Sequence, residues 1–310
     1  MLKTGIYTPD QTPSFSGRPR AFIALDLYDQ FSGNPELEML FQEQAIGRVA
    51  VANGSFKKTH LNRFDEFDEI CRGIIIRHVP VQNSVSVHDM AVSDGRTSVP
   101  FFEFLSGHYG QSLSFLASDY SPGFKAVYDP ADSNKRLILD HQNRLIQIVA
   151  PPFVFQVVCP ESGLFYPVNR LYRHYIQKKW AQNLYQSYLR SPSLFQTKDI
   201  LILCRACQNL THDSRFSFDT YDVLSGIRGT QQIIRAMNIL NISYFAPDQM
   251  AQAVSHICGA LAPGGLLITG SNGDGGTDVR GGVYKKTESG MIKIHDFSGG
   301  SPAESLILQA

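Results

Sequence analysis

From Val85 onward, short apolar runs alternate with helix-length stretches whose hydrophobic residues recur every three or four positions, the texture of a parallel α/β sheet. The runs predict strands near Val85–Met90, Leu113–Ser118, Phe216–Tyr221, Ile233–Met237 and Gly265–Thr269, then a hairpin of Gly282–Lys286 with Met291–Asp296. The helix Pro247–Leu261 is the clearest single element. Met250, Ala253, Val254, Ile257, Cys258 and Leu261 share one face, and Pro247 suits a first helical turn. Ahead of the sheet, residues 1–20 are rich in Pro, Thr, Ser and Gly and predict an extended arm. The spacing from Pro35 to Ile76 is helical, with Leu37, Met39, Leu40, Phe41, Ala45 and Ile46 on one face and Phe64, Phe67, Ile70 and Cys71 on another. Asn53-Gly54 marks the break between them. Between Phe124 and Asp199 lies a stretch the sheet does not need: a strand pair, then a helix over Asn169–Leu189 carrying Tyr172, Tyr175, Trp180, Tyr185 and Tyr188. The expected organisation is a doubly wound, seven-stranded α/β sheet over residues 81–310. An insertion at 125–198 follows its second strand, and a helical N-terminal extension, or lid, covers 1–80.

Composition narrows the classes of function. With 310 residues, 43% of them hydrophobic and 18% charged, the chain can bury a substantial core. Lys plus Arg equals Asp plus Glu at 28 each, so the basic excess that grips a phosphate backbone is missing, and nucleic acid is not an expected partner. The nearest approach is a short cluster, Lys178-Lys179 with Arg170, Arg173 and Arg190. The five cysteines are scattered, the first residues lack the pattern of a secretory leader, and no apolar run reaches the roughly 18 residues of a membrane span. Cytoplasmic location and no membrane partner are the expectations. Cys204-x-x-Cys207 invites a zinc reading, but no second pair stands at a suitable spacing, and no metal site is expected. P-loop and G-x-S-x-G signatures are absent.

The chemistry-bearing residues fall at the predicted strand ends. The first strand and its turn read VSVHDMAVSDGRTSVPFFEFL: an acidic residue, Asp89, then small residues at every second position, Ala91, Ser93 and Gly95. Small side chains let a backbone approach a ligand closely, and Gly95 can take a positive φ. The second strand ends LSFLASDYSP, where Asp119 can accept two hydrogen bonds from a ribose diol or cap the turn that follows. RFSFDTYDVLS ends a third strand at Tyr221-Asp222. In QQIIRAMNILNISYF, Arg235 and Asn238 interrupt an apolar strand. Asn238 stands at the carboxyl end, where open α/β sheets place ligands, although Asn238 and Asn241 could equally satisfy loop backbone. ALAPGGLLITG is a structural turn: Pro263 ends the helix and Gly264-Gly265 supplies the left-handed position.

Taken in order over roughly residues 85–300, these segments resemble the class I S-adenosylmethionine (SAM)-dependent methyltransferases, whose first motif is an acidic residue followed by G-x-G-x-G. Ala91 and Ser93 replace its first two glycines. The resemblance implies a class I methyltransferase-type sheet with SAM as cofactor, held by Asp89, Ala91, Ser93, Gly95, Asp119, Tyr120, Asp222 and Asn238. It implies methyl transfer to a small-molecule metabolite, with Asn238 facing the reacting centre. Tyr175 is the second candidate catalytic residue, because the aromatic helix could close over the site and hold the sulfonium by cation–π attraction; the same aromatic stripe could instead be core. Two other readings stay open. One is an intramolecular cyclase of the azetidine-2-carboxylate type that releases methylthioadenosine. The other is a catalytically degenerate SAM-fold binding protein, suggested by the missing glycines.

Overall fold

The computed structural model describes residues 4–11, 22–31, 33–49, 64–157, 167–227, 229–241, 244–272 and 278–310. The expected break at Asn53-Gly54 and most of the N-terminal arm lie outside them. In chain order the helices are α1 (Tyr28–Phe31), α2 (Pro35–Gln44), α3 (Asp65–His78), α4 (Ser98–Tyr109), α5 (Pro167–Ile176), α6 (Gln182–Arg190), α7 (Arg205–Leu210), α8 (Pro247–Ala260) and α9 (Glu304–Ile307). The strands are β1 (Val85–Met90), β2 (Leu113–Asp119), β3 (Gly123–Asp129), β4 (Asp132–Asp140), β5 (Leu145–Ala150), β6 (Phe153–Gln156), β7 (Thr197–Leu201), β8 (Phe216–Thr220), β9 (Gln231–Met237), β10 (Leu261–Asn272), β11 (Val279–Thr287) and β12 (Gly290–Phe297).

The chain forms two units: Met1–Thr59 with Gly123–Ile202, and His60–Pro122 with Leu203–Ala310. The second holds a seven-stranded sheet in the order β12-β11-β10-β9-β1-β2-β8. The five strands β8, β2, β1, β9 and β10 are parallel, and β11 and β12 add an antiparallel edge. Parallel strands need helical crossovers, which cover both faces and make the strands apolar throughout. Val85 and Val87 of β1 accordingly pack with Cys71 and Ile75 of α3 and Phe101, Phe102 and Leu105 of α4. Met90 packs on the other face with Met250, Ala253, Val254 and Ile257 of α8. The chain runs outward from β1 through β2 to β8 and then returns to start β9 on the opposite side of β1. That reversal opens a crevice at the carboxyl ends of β1 and β9.

The first unit holds a five-stranded antiparallel sheet, β6-β5-β4-β3-β7, where sequence reading expects only a strand pair. One face carries the N-terminal segment: Ile6, Ile23, Leu25, Phe31 and Phe41 pack with Ile138, Val149 and Ile200. The buried Gln147 amide accepts from the Leu25 N–H at 3.0 Å and donates to the Ile23 carbonyl at 2.9 Å, and Arg136 pairs with Asp26 at 2.6 Å. The other face carries a continuous helical run of α5, a π-helical turn at Gln177–Ala181 and α6. The boundaries therefore differ from those expected. An extension over 1–80 separate from an insertion over 125–198 does not describe the contacts, because the N-terminal segment completes the core of the inserted sheet while α3 packs in the doubly wound unit.

Candidate functional site

Strained backbone marks the crevice of the doubly wound unit. Ala91, Ser93 and Gly95 all have positive φ (57°, 58° and 76°), and so does Asn238, at 57°. A side chain in this region costs about 1–2 kcal/mol, a strain that proteins keep where a loop conformation serves a function. The turn after β1 thus adopts an alternating left-handed course at the three positions where the sequence motif calls for glycine, although only Gly95 is one.

Gly95 is required for a second reason: a Cβ there would run into Cys207 Sγ. Cys207 belongs to the pair for which no metal role is expected. Burial pushes its thiol well above the usual range, and Cys204 Sγ accepts from the Cys207 N–H at 3.4 Å as the N-cap of α7. The two kinds of position respond oppositely. Ala91→Gly or Ser93→Gly is expected to raise stability by about 0.5–1 kcal/mol, since relief of the left-handed strain exceeds the added unfolded-chain entropy. Gly95→Ala is expected to lower it by about 2–4 kcal/mol through strain plus overpacking. Urea denaturation of the three variants checks this, and the same sign in all three would contradict it.

Asp119 ends β2 and ties this turn down. Its carboxylate accepts from the Ser93 N–H at 2.8 Å and from the Ser121 N–H at 2.9 Å. The hydroxyls of Ser93 and Ser121 are both shielded from solvent and without a partner among the described residues. Buried polar atoms are seldom left so, and each one calls for an explanation. Two further unpartnered polar atoms lie nearby, His88 Nδ1 and Tyr221 Oη. The His88 ring meets Tyr221 edge-on at 5.1 Å, and its Nε2 lies 2.8 Å from Ser118 Oγ. Burial pushes the His88 pKa down to about 4 and that of Tyr221 up to about 12, so both are neutral at pH 7.

Behind the turn is a charge cluster. Arg235 is 1% exposed; it donates to both oxygens of Asp68 (3.1 and 2.9 Å), to Asp89 (3.2 Å) and to the Thr97 carbonyl (3.2 Å), with the rings of Phe64 and Phe101 over its guanidinium. Burial raises the Asp68 pKa to about 6 against the opposing pull of Arg235, and burial likewise raises Asp89. One guanidinium thus faces two desolvated carboxylates. Asp89, expected on the cofactor, has its carboxylate engaged by Arg235. Arg235 links β9, α3 and the turn between β1 and α4. Asp68 is a residue that sequence reading misses; the available signal is an acidic residue falling on the apolar face of α3.

Asn238 caps the crevice from β9. Its N–H donates to the Gly270 carbonyl at 2.7 Å and its Oδ1 accepts from the Asn272 N–H at 3.1 Å, so the amide oxygen holds loop backbone. Asp222 caps the turn after β8 through the Leu224 N–H at 2.9 Å, and Tyr120 follows Asp119, half-buried. Tyr175 lies on α5 of the antiparallel unit, 56% exposed. Of its aromatic neighbours, Tyr188 is core, Trp180 donates to Asp129 at 2.6 Å and Tyr185 donates to the Asn143 carbonyl at 2.7 Å. No cluster of His, Cys, Asp and Glu suited to a metal is found among the described residues.

Strand order and the reversal at β1 and β9 decide the fold class. The doubly wound unit is Rossmann-like. No family model matches the sequence, and no curated protein does. Solved structures similar to the chain include the N-methyltransferase NodS from Bradyrhizobium japonicum WM9 in complex with S-adenosyl-L-homocysteine, at 14% identity over 75% of this chain and 72% of that one, with a TM-score of 0.31. An O-methyltransferase family protein from Burkholderia thailandensis is 10% identical over 84% of this chain and 49% of its own, with a TM-score of 0.31. A SAM-dependent methyltransferase from Clostridium acetobutylicum ATCC 824 is 10% identical over 69% and 51%, with a TM-score of 0.33.

Proposed function

We propose that the doubly wound unit binds SAM and transfers its methyl group to a small-molecule acceptor. The observation that carries this reading is the turn at 91–95, which takes the left-handed course of a glycine-rich cradle beside an Asp119 carboxylate flanked by two unpartnered hydroxyls. A ribose diol matches that set in hydrogen-bonding character, because each hydroxyl of the sugar can donate to the carboxylate and accept from Ser93 or Ser121. His88 and Tyr221 offer neutral polar atoms farther along the same strand ends, beside the Asp222 turn, where the nucleobase would lie. When bound, SAM supplies an electrophilic methyl group on a sulfonium.

The chain's own part is to bind, orient and exclude water, since in-line transfer depends on alignment more than on a strong acid or base. Asp119 holds the ribose and braces the turn. Arg235 fixes the turn from behind through Asp89 and Thr97. Asn238 presents its amide NH2 to the acceptor side while its oxygen stays on Asn272. Asn238→Gly, which keeps the left-handed backbone at little strain, is then expected to lower turnover per folded molecule about ten-fold or more, with a modest change in SAM affinity. Full single-turnover activity in a folded variant would reduce Asn238 to a loop amide.

The Cβ atoms of Ala91 and Ser93 in the cradle favour the second reading, a binding protein without turnover. Incubation with SAM and a metabolite extract, followed by mass spectrometry, separates the cases. S-adenosylhomocysteine is the expected product. Methylthioadenosine would mean attack on the aminocarboxypropyl chain, and the absence of both would leave the binding protein.

A further inference from the structure

The α5 helix shows an apolar face to solvent. Val168, Leu171, Tyr172 and Tyr175 stand at i, i+3, i+4 and i+7, one stripe of a helix, and all four are exposed, Leu171 to 75%. Tyr172 touches Phe153 of β6 with its edge, and the opposite side of the helical run, at Ile176, Trp180, Ala181, Leu184 and Tyr188, packs on the antiparallel sheet. Leu189 near the end of α6 and Leu194 just beyond it extend the exposure. Six of the thirteen exposed large apolar side chains among the described residues therefore fall within residues 168–194. A cluster of this kind on one element marks a contact surface.

Charge says what kind of contact. No Asp or Glu occurs from residue 162 to residue 198, whereas Arg170, Arg173, Lys178, Lys179, Arg190 and Lys198 do, in a chain whose net charge is zero. Lys178, Lys179 and Arg190 are exposed and have no acidic partner among the described residues. A second copy would bring the same positive face and be repelled, which disfavours a symmetric pair through this patch. The stripe holds four apolar side chains and is followed by Lys178 and Lys179, few beside the roughly 20–30 residues a side of a specific protein interface. A fluid bilayer requires no matching shape: Leu and Tyr settle at the headgroup boundary while the lysines reach anionic lipid.

We propose that the exposed face of α5, with Lys178 and Lys179 of the π-helical turn, docks the protein on an anionic lipid surface. This departs from the expectation of no membrane partner. It is peripheral contact, for no described helix is long and apolar enough to cross a membrane.

Flotation of the full chain with vesicles tests it, comparing phosphatidylcholine alone with phosphatidylcholine containing phosphatidylserine. Binding is expected only with the anionic vesicles and should weaken with salt. Lys178→Gln with Lys179→Gln should reduce the partition coefficient roughly 25-fold, about five-fold per lysine. Leu171→Glu with Tyr175→Glu should abolish it, with circular dichroism unchanged because both positions are exposed. Failure of the native chain to float with anionic vesicles, or flotation unaffected by the Glu pair, would overturn the proposal. So would lipid-independent dimerisation in sedimentation velocity that the Glu pair abolishes, since the occupant would then be a second copy.

Discussion

Arg235→Met is expected to destabilise the protein by about 3–5 kcal/mol at pH 7.5, with a much smaller loss at pH 5. The guanidinium is the counter-charge for Asp68 and Asp89, both buried, and no other basic group is bonded to either carboxylate among the described residues. Without it the carboxylates must be ionised in an apolar setting or take up protons. The sign follows from the folded state holding a proton that the unfolded chain has released. With the Asp68 pKa raised from 3.8 to about 6, its contribution to stability is full below pH 4 and is lost as pH rises through 6. His88 acts oppositely in the same window: its pKa is lowered from 6.5 to about 4, so its contribution is lost as pH falls. The two offset in the native chain. Removing Arg235, whose charge opposes both upward shifts, strengthens the slopes of Asp68 and Asp89, and the stability curve should tilt visibly toward acid. Urea melts at pH 5, 6 and 7.5 check this; an equal loss at every pH would contradict the cluster.

The second large effect concerns Asp119. Asp119→Ala should weaken SAM binding at least a hundred-fold, because two hydrogen bonds to a charged acceptor are worth about 1.5–3 kcal/mol each. It should also cost stability, since the Ser93 and Ser121 N–H groups lose their acceptor. Ser121→Ala separates the two roles. Its hydroxyl has no partner among the described residues, so removing it should leave the melting temperature unchanged or slightly higher while lowering SAM affinity several-fold. Unchanged affinity in that variant would move the ribose away from Asp119.

The doubly wound sheet was legible in sequence because its strands are buried on both faces. Val85–Met90, Ile233–Met237 and their neighbours appear as apolar runs, and α8 appears as a clean stripe. The antiparallel sheet was less so. Thr197–Leu201 carries Lys198 and Asp199 within five residues, and Gly123–Asp129 alternates only partly, so neither advertises a strand. The joining of the described N-terminal residues to that sheet depends on contacts such as Gln147 with Leu25, 122 positions apart, which no local pattern contains. The same holds at the site. Gly95, Asp119 and Asn238 stood out as small or polar residues at strand ends. The commitment of Asp89 to Arg235 did not, because the two residues are 146 positions apart. Nor did the left-handed conformation of Ala91 and Ser93, which local propensity argues against.

Equilibrium dialysis of the native chain against labelled SAM tests the central claim most directly. One saturable site per chain is expected, competed by S-adenosylhomocysteine and greatly weakened in Asp119→Ala. No saturable uptake at millimolar SAM by the folded chain would contradict it.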